Sequence, residues 1–176
     1  FQGDLAANGY VTFRNSTDST TAFQVQNAAG TTTVLNVDTS TGTLTVAKTI
    51  VNGTLTVNGH IISGNTSGST TVSVGTITGC IDGSNGSVSI SGNDTSGTVT
   101  INTGGTCSTG GTLATVNFIV NYGSAPRVIL TPADSSGSGA TIQYYNGTSS
   151  TSSFTIDTVN AAATGTTYKY NYFVVQ

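Results

Sequence analysis

The sequence predicts an all-β protein, in which a repetitive N-terminal stalk of short strands precedes an antiparallel β-sandwich. Apolar and polar residues alternate with a period of two along most of the chain, which is the pattern of half-buried strands. Hydrophobic residues make up 35% of the chain and are chiefly Val, Ile and aromatic types that favour strands. Gly, Asn and Ser interrupt the alternating runs at short intervals and indicate turns.

The first 69 residues contain only short candidate strands, and we expect residues 1–69 to form a stalk that depends on assembly. The candidate strands are residues 10–14, 22–26, 33–37, 43–46, 54–57 and 60–62. The pentapeptide GTLTV starts at Gly42 and again at Gly53, and Asn-Gly pairs follow as turn signals. Strands this short bury little apolar area alone, so stacked rungs or several chains wound together would be needed to cover them.

Longer strands begin near residue 70 and predict that residues 70–176 form a sandwich head of the jelly-roll or Ig-like kind. We expect its central part to span residues 87–176. The candidate strands are residues 70–78, 87–91, 97–102, 113–120, 126–131, 140–145, 153–158 and 166–175. Their spacing near a dozen residues, with Gly/Ser turns between them, is typical of an antiparallel sandwich. The core candidates are Val99, Ile101, Val116, Phe118, Val120, Val128, Leu130, Ile142, Phe154, Ile156, Tyr168, Tyr170, Tyr172 and Val174.

The composition excludes two classes of partner, nucleic acids and the membrane interior. Charged residues are 6% of the chain, against about 25% in an ordinary soluble domain, and Glu is absent. Four scattered basic residues and a net charge of −3 cannot neutralise a phosphate backbone, so we expect no nucleic acid partner. The apolar runs are too short for a membrane-spanning helix, so we expect no membrane insertion.

Cys80 and Cys107 are the only cysteines. A pair in a chain of extracellular composition indicates a disulfide first. Two free buried thiols, or half of a metal site, are the alternatives. Closing a loop of about 27 residues would stabilise the fold by roughly 3–4 kcal/mol in the chain-entropy model.

Three segments of the head carry a resemblance: SGNDTSGTVTINTG, LATVNFIVNYGSAPRVILTPAD and FTIDTVNAAATGTTYKYNYFVV. They resemble the C-terminal β-sandwich heads of bacteriophage tail fibres and bacterial surface fibres, and their order of elements is similar to the H-type lectin fold. The matching positions are Val116, Phe118, Tyr122, Pro126, Val128, Phe154, Ile156, Tyr170 and Tyr172. The resemblance implies a trimeric or polymeric extracellular fibre at a cell or virion surface. Because H-type lectins bind carbohydrate, the resemblance also implies cell-surface glycans as partners.

Self-association is the interaction that the sequence favours most. Low charge removes electrostatic obstacles to close packing, and few Lys or Pro residues protect the strand edges. The predicted assembly interface comprises Tyr10, Val11, Phe13, Leu44, Val46, Leu55 and Val57. The segment GYVTFRN is also a candidate for donation to a neighbouring chain. If the two GTLTV copies stack, Leu44 lies near Leu55 and Val46 near Val57, within one chain or across chains.

Catalytic signals are weak, and we expect no enzymatic activity. His60 is the only histidine, no G-x-S-x-G elbow occurs, and the seven Asp residues are scattered. We expect no cofactor either, with calcium as the one possibility. Asp82 and Asn85 lie in an oxygen-rich turn and Asp134 in another, but Asx turns use the same residues for hydrogen bonding.

Tyr144, Tyr145 and Asn146 are the candidate ligand-binding residues. Aromatic side chains at a loop edge can stack on sugar rings, although alternate members of this pair can instead face the core and a subunit interface. The sequence therefore favours an extracellular structural subunit that self-assembles into a fibre or filament with an adhesive or appendage role. The alternative is a receptor-binding module, like a phage fibre tip, that recognises surface carbohydrate.

Overall fold

The computed structural model describes Gly9 and residues 12–62, 70–137 and 142–176, and this part of the chain is all-β. Its strands form three antiparallel sheets. The strands are β1 Phe23–Gln26, β2 Thr33–Asp38, β3 Thr43–Val46, β4 Thr71–Val74, β5 Ser87–Gly92, β6 Ser96–Asn102, β7 Gly111–Asn117, β8 Arg127–Pro132, β9 Tyr144–Ser149, β10 Ser153–Thr158 and β11 Thr167–Val175. The predicted fold class, an all-β chain with an antiparallel sandwich, is confirmed.

The chain divides into two compact units, Phe1–Gly59 and His60–Gln176. The first contains the meander β1-β2-β3. Its first turn is closed by Asn27, whose Oδ1 accepts hydrogen bonds from the Thr31 and Thr32 amides. At the second turn, Asp38 accepts hydrogen bonds from the side chain of Ser40 and from the Ser40 and Thr41 amides, and these bonds lower the pKa of its carboxyl. Local Asx turns therefore shape this sheet.

The second unit is the β-sandwich, built from two four-stranded sheets of order β4-β7-β10-β9 and β5-β6-β11-β8. The nine-residue strand β11 lies inside its sheet and pairs with both β6 and β8. Its side chains alternate between buried and exposed along its whole length. The predicted strand 166–175, with alternate Tyr residues facing inward, is therefore confirmed.

Aromatic rings join the two sheets of the sandwich. The ring of Tyr144 lies 4.7 Å from that of Tyr170, and the ring of Phe154 lies 5.4 Å from that of Tyr172. The buried hydrophobic residues are Ile77, Cys80, Ile81, Val99, Ile101, Leu113, Ala114, Val116, Phe118, Ile142, Phe154, Ile156, Ala162, Tyr168, Tyr170, Tyr172 and Val174. This core closes within the chain, so the sandwich needs no strand from a neighbour to cover it.

Several predicted elements differ from the observed ones. Residues 12–14, 54–57 and 60–62 form no strand, and residues 10 and 11 lie outside the described residues. Within the predicted head of residues 70–176, the central part starts before the predicted residue 87, because β4 pairs with β7 and the residues from Ile77 to Ile81 contribute to the core. Val128 and Leu130 are half-buried against the core, whereas the predicted core residue Val120 is 60% exposed.

In the last hairpin, the first strand is Tyr144–Ser149. Of the predicted strand 140–145, Ile142 and Gln143 lie outside it, and residues 140 and 141 lie outside the described residues. Gly147 lies inside this strand. A Cβ atom at Gly147 would overlap the Asp157 carboxylate, so a larger residue at this position would have to displace the Asp157 side chain.

Candidate functional site

The three-stranded N-terminal sheet has one apolar side. Its strand register places six apolar side chains there: Phe23, Val37 and Leu44 in one row, and Val25, Leu35 and Val46 in the next. Paired residues of antiparallel strands project to the same side, and residues two apart along a strand share a side. The six side chains therefore form a grid of two rows across three strands, which we call the apolar face.

The opposite side of the sheet is polar, apart from Val34. Gln24 Nε2 donates a hydrogen bond to Asn36 Oδ1 at 2.9 Å, and Asn36 Nδ2 donates to the Thr20 carbonyl at 3.0 Å. Thr45 is the register partner of Asn36 on this side. The sheet is thus amphipathic, and only its polar side is suited to water.

The apolar face is largely uncovered. Leu44 is 62% exposed, and Phe23, Val25 and Val46 are 37%, 44% and 37% exposed. No described residue of the N-terminal unit is buried, so this part of the unit has no hydrophobic core of its own. A small sheet is stable independently only when its apolar face is covered.

The predicted assembly residues are distributed unevenly over this unit. Leu44 and Val46 lie on the apolar face, and the ring of Phe13 lies 5.1 Å from the ring of Phe23 at its end. Tyr10 and Val11 lie outside the described residues. The predicted interface omitted four members of the face: Phe23, Val25, Leu35 and Val37. Their period-two spacing was visible in the sequence, but the pairing register that aligns them with Leu44 and Val46 was not.

The two GTLTV copies do not pair as strands within the chain. The first copy forms β3 at the edge of its sheet and pairs with β2, whereas the second, around Leu55 and Val57, forms no strand. Leu55 is 68% exposed and Val57 is 45% exposed. The hairpin turn before β3 gives the first copy a partner strand, but bends at residues 52–53 and 58–59 flank the second copy. Stacking of the copies across chains stays a prediction.

A shallow depression of about 240 Å³ lies at the Phe13 end of the sheet. It is lined by Phe13, Asn15, Ala22, Phe23, Val37 and Thr39. None of these side chains is charged, and two of them belong to the apolar face. The depression is therefore a continuation of that face rather than a separate ligand site.

Cys80 and Cys107 form a disulfide, as predicted, with their Cα atoms 4.5 Å apart. The bond excludes the alternatives of two free thiols and of half a metal site. It joins the turn that follows β4 to the connection between β6 and β7, where the Gly104 amide also donates to the Cys80 carbonyl at 2.8 Å. A disulfide in so small a chain is consistent with an extracellular location.

The turn at Asp82 is an Asx turn. The Asp82 carboxylate accepts hydrogen bonds from the amides of Gly79, Ser84 and Asn85 at 2.6, 3.0 and 3.0 Å. The amide bonds from Gly79 and Ser84 lower the pKa of this carboxyl. These donors direct positive hydrogen atoms at the oxygens that a calcium ion would need, so the geometry favours the hydrogen-bonding role. Asp134 Oδ1 similarly accepts from the Gly137 amide at 2.9 Å.

The three candidate ligand-binding residues are not presented together. Tyr144 packs inward against Tyr170, and Asn146 Nδ2 donates to Ser149 Oγ at 2.9 Å. Tyr145 is 46% exposed on the other side of the strand, where its register partner is Asp157. Tyr145 is thus the one member of this set whose ring is offered to solvent. Carbohydrate recognition stays a prediction.

A buried carboxylate that the sequence did not reveal, that of Asp94, links the two sheets of the sandwich. Asp94 lies in the turn between β5 and β6 and is 5% exposed. Its carboxylate accepts hydrogen bonds from Thr70 Oγ1 at 2.6 Å and from the Ile119 and Val120 amides at 2.9 Å each. Since Thr70 precedes β4 and Ile119 follows β7, one side chain connects the β5–β6 hairpin to the opposite sheet.

The described residues present no candidate metal-binding cluster. No group of three or more His, Cys, Asp or Glu residues lies together in this part of the chain, and His60 is exposed. None of the secondary structure in the described ranges is a helix long and apolar enough to cross a membrane. The candidate functional site is therefore a surface, the apolar face.

We expect the sandwich to lose stability steeply above about pH 10, where an ordinary tyrosine ionises. Burial raises the pKa of both Tyr170 and Tyr172 well above that value. The unfolded chain therefore releases protons that the folded chain retains, and stability falls as pH rises by about 1.4 kcal/mol per pH unit for each tyrosine. Guanidinium unfolding of the full chain from pH 8 to pH 11.5 would measure this slope.

Two phenylalanine variants are the controls for the alkaline transition. Tyr172 Oη donates to the Asn93 carbonyl at 2.6 Å, whereas Tyr170 Oη has no hydrogen-bond partner among the described residues. At pH 7, Tyr172→Phe is expected to cost about 1 kcal/mol and Tyr170→Phe to be neutral or stabilising. Each variant should also reduce the alkaline slope by one proton. An unchanged slope in both would show that these tyrosines do not control the transition.

Comparison of the chain with protein-family models, curated proteins and solved structures found no match.

Proposed function

We propose that this chain is a non-enzymatic, extracellular structural subunit that assembles with copies of itself into a fibre or filament with an adhesive or appendage role. The contrast between its two units supports the proposal. The sandwich covers its own core, whereas the N-terminal unit has an apolar face and no buried described residue. The N-terminal unit needs a covering surface to be stable, whereas the sandwich does not. This contrast is what we expect of a subunit whose N-terminal part becomes ordered when the subunits assemble.

The composition supports the same function. Thr and Ser make up 57 of the 176 residues, and the charged residues number 11. Surfaces this weakly charged repel one another little, so chains can pack closely. The exposed layer of the sandwich is mainly hydroxyl and amide groups, and such groups keep an extended assembly hydrated without a high net charge. The disulfide stabilises the sandwich, and disulfides persist in an oxidising environment such as the extracellular space.

The test is the assembly state of the full chain compared with that of residues 60–176, which contain the complete sandwich core. We expect sedimentation and native mass spectrometry to find oligomers of the full chain and monomers of the fragment at the same concentration. The fragment should unfold at the same guanidinium midpoint as the sandwich in the full chain. A full chain that is monomeric at tens of micromolar, or a fragment that assembles equally well, would refute the proposal.

A further inference from the structure

We infer that the apolar face packs against the same face of other copies of the chain, around a common rotation axis, so that the N-terminal units form a closed oligomer. This inference rests on the proposed function and names the surface and the partner. It also predicts the kind of symmetry, because a contact between identical faces closes, whereas a head-to-tail contact closes into a ring only when its rotation allows and otherwise propagates. The closed oligomer is then the building block of any longer fibre.

The chemistry of the face identifies an apolar protein surface as its occupant. Its six side chains are Phe, Val and Leu, and they offer no hydrogen-bonding group to a sugar or a nucleotide. The N-terminal unit carries only two basic residues, Arg14 and Lys48, which is too few to attract anionic lipid headgroups. A second apolar face of similar size is the surface that would exclude water from it most completely.

The exposed area agrees with a contact between copies. Phe13, Phe23, Val25, Leu44 and Val46 are each 37–67% exposed, but five side chains are too few for the roughly 800 Å² per partner of a stable interface. The same unit has four further apolar side chains that are exposed by 45–72%: Ile50, Val51, Leu55 and Val57. An interface of ordinary size therefore requires most of the apolar residues of this unit. Every copy of the chain contributes the same set of residues.

Charge does not oppose this pairing. Residues 1–59 contain Arg14 and Lys48 against Asp4, Asp18 and Asp38, so the net charge of the unit is +2 − 3 = −1. Of the charged residues that the structure describes in this unit, none belongs to the six of the apolar face. Copies can therefore approach face to face with little electrostatic repulsion, and without dehydrating a charged group.

An open arrangement would require a second apolar patch that the face could cover. The best candidate is on the outer side of the sandwich, where Ile129 and Phe173 are register partners and Val175 is near them. These side chains are 57%, 47% and 44% exposed. The patch has three members against the six of the face, and Arg127 lies beside it as the register partner of Val175. Face-to-patch contact would leave apolar side chains in water and dehydrate a cation, whereas face-to-face contact does neither.

Cross-linking of matched cysteine variants tests the inference. Stacked sheets lie about 10 Å apart, which is too far for a direct disulfide but within reach of a short bis-maleimide. Leu44→Cys places a thiol on the apolar face, and Thr45→Cys places one on the polar side of the same strand. We expect cross-linked species of Leu44→Cys in at least about tenfold higher yield, because assembly raises the local concentration of that thiol. The native cysteines are in the disulfide and do not react.

A pair of aspartate variants supplies the second measurement. Leu44→Asp would bury a charge in the proposed contact, and we expect association at least about a hundredfold weaker, whereas Thr45→Asp should assemble as the parent does. Full-length oligomers that survive Leu44→Asp, or equal cross-linking from both thiols, would overturn this inference and leave self-assembly intact. Dissociation by Ile129→Asp instead would indicate the open, face-to-patch arrangement. A parent chain that is monomeric throughout would refute the proposed function itself.

Discussion

Replacing Asp94 with alanine is expected to lower the free energy of unfolding of the sandwich by about 3–5 kcal/mol. The carboxylate is buried and accepts hydrogen bonds from Thr70 and from the Ile119 and Val120 amides. Its removal takes the acceptor from the buried Thr70 hydroxyl and from the partly buried Ile119 and Val120 amides, and leaves a gap between the sheets. Guanidinium unfolding of the full chain, followed by the fluorescence of the buried tyrosines, would measure the change.

Two further substitutions separate the contribution of this carboxylate from a general effect of losing a negative charge. Asp94→Asn keeps one acceptor oxygen, but its NH2 group is a donor that would face the backbone N–H donors of Ile119 or Val120. We therefore expect the free energy of unfolding to fall by about 2 kcal/mol. Asp134→Ala removes a half-buried carboxylate that accepts a hydrogen bond from the Gly137 amide, and should cost about 1 kcal/mol or less. If Asp94→Ala were no more destabilising than Asp134→Ala, the link between the sheets would contribute little to stability.

Removing the disulfide by the double substitution Cys80→Ala and Cys107→Ala is expected to destabilise the sandwich by about 3–4 kcal/mol. The loop it closes spans a sequence separation of 27 residues, and Cys80 is fully buried in the core. Most of the effect should come from the greater conformational freedom of the unfolded chain, so the native fold is expected to persist. Equilibrium unfolding with and without a reductant would measure it.

The double alanine variant is also the control for the reductant. Reduction should destabilise the parent chain and leave the variant unchanged, because the variant has no disulfide to reduce. Oligomer formation through the N-terminal unit should continue in both, since the cysteines belong to the sandwich. A parent chain whose unfolding midpoint does not respond to complete reduction would show that the loop is already constrained by other contacts.

Strand positions could be predicted where hydrophobic alternation and turn chemistry agreed. Strands β1, β2 and β3 lie within a residue or two of the predicted runs, and β10 matches residues 153–158. The alternating pattern wrongly predicted a strand at the second GTLTV copy, because an alternating run becomes a strand only when another strand pairs with it. It also failed for Val120, whose amide donates to Asp94 and whose side chain is thereby directed to solvent. Both outcomes depend on contacts between distant residues.

The candidate site was only partly visible in the sequence. Leu44 and Val46 were predicted for assembly because their segment repeats, but the face they belong to depends on the register of β1 against β2 and of β2 against β3. Asp94 gave no distinguishing signal, because an Asp between Asn and Thr in a Gly/Ser-rich turn has the composition of an ordinary exposed Asx turn. Burial, which gives that carboxylate its importance, is a property of the packed sheets.

The position of the disulfide determines which part of the sandwich can be extended by tension from its N-terminal side. A pull on the chain ahead of residue 70 reaches β4 first, a four-residue strand at the edge of its sheet that pairs with β7 alone. Peeling the chain from Thr71 to Cys80 releases about 30 Å of length. At Cys80 the force passes through the covalent bond to Cys107, between β6 and β7. The disulfide therefore withholds the loop between Cys80 and Cys107, with strands β5 and β6, from extension by such a pull.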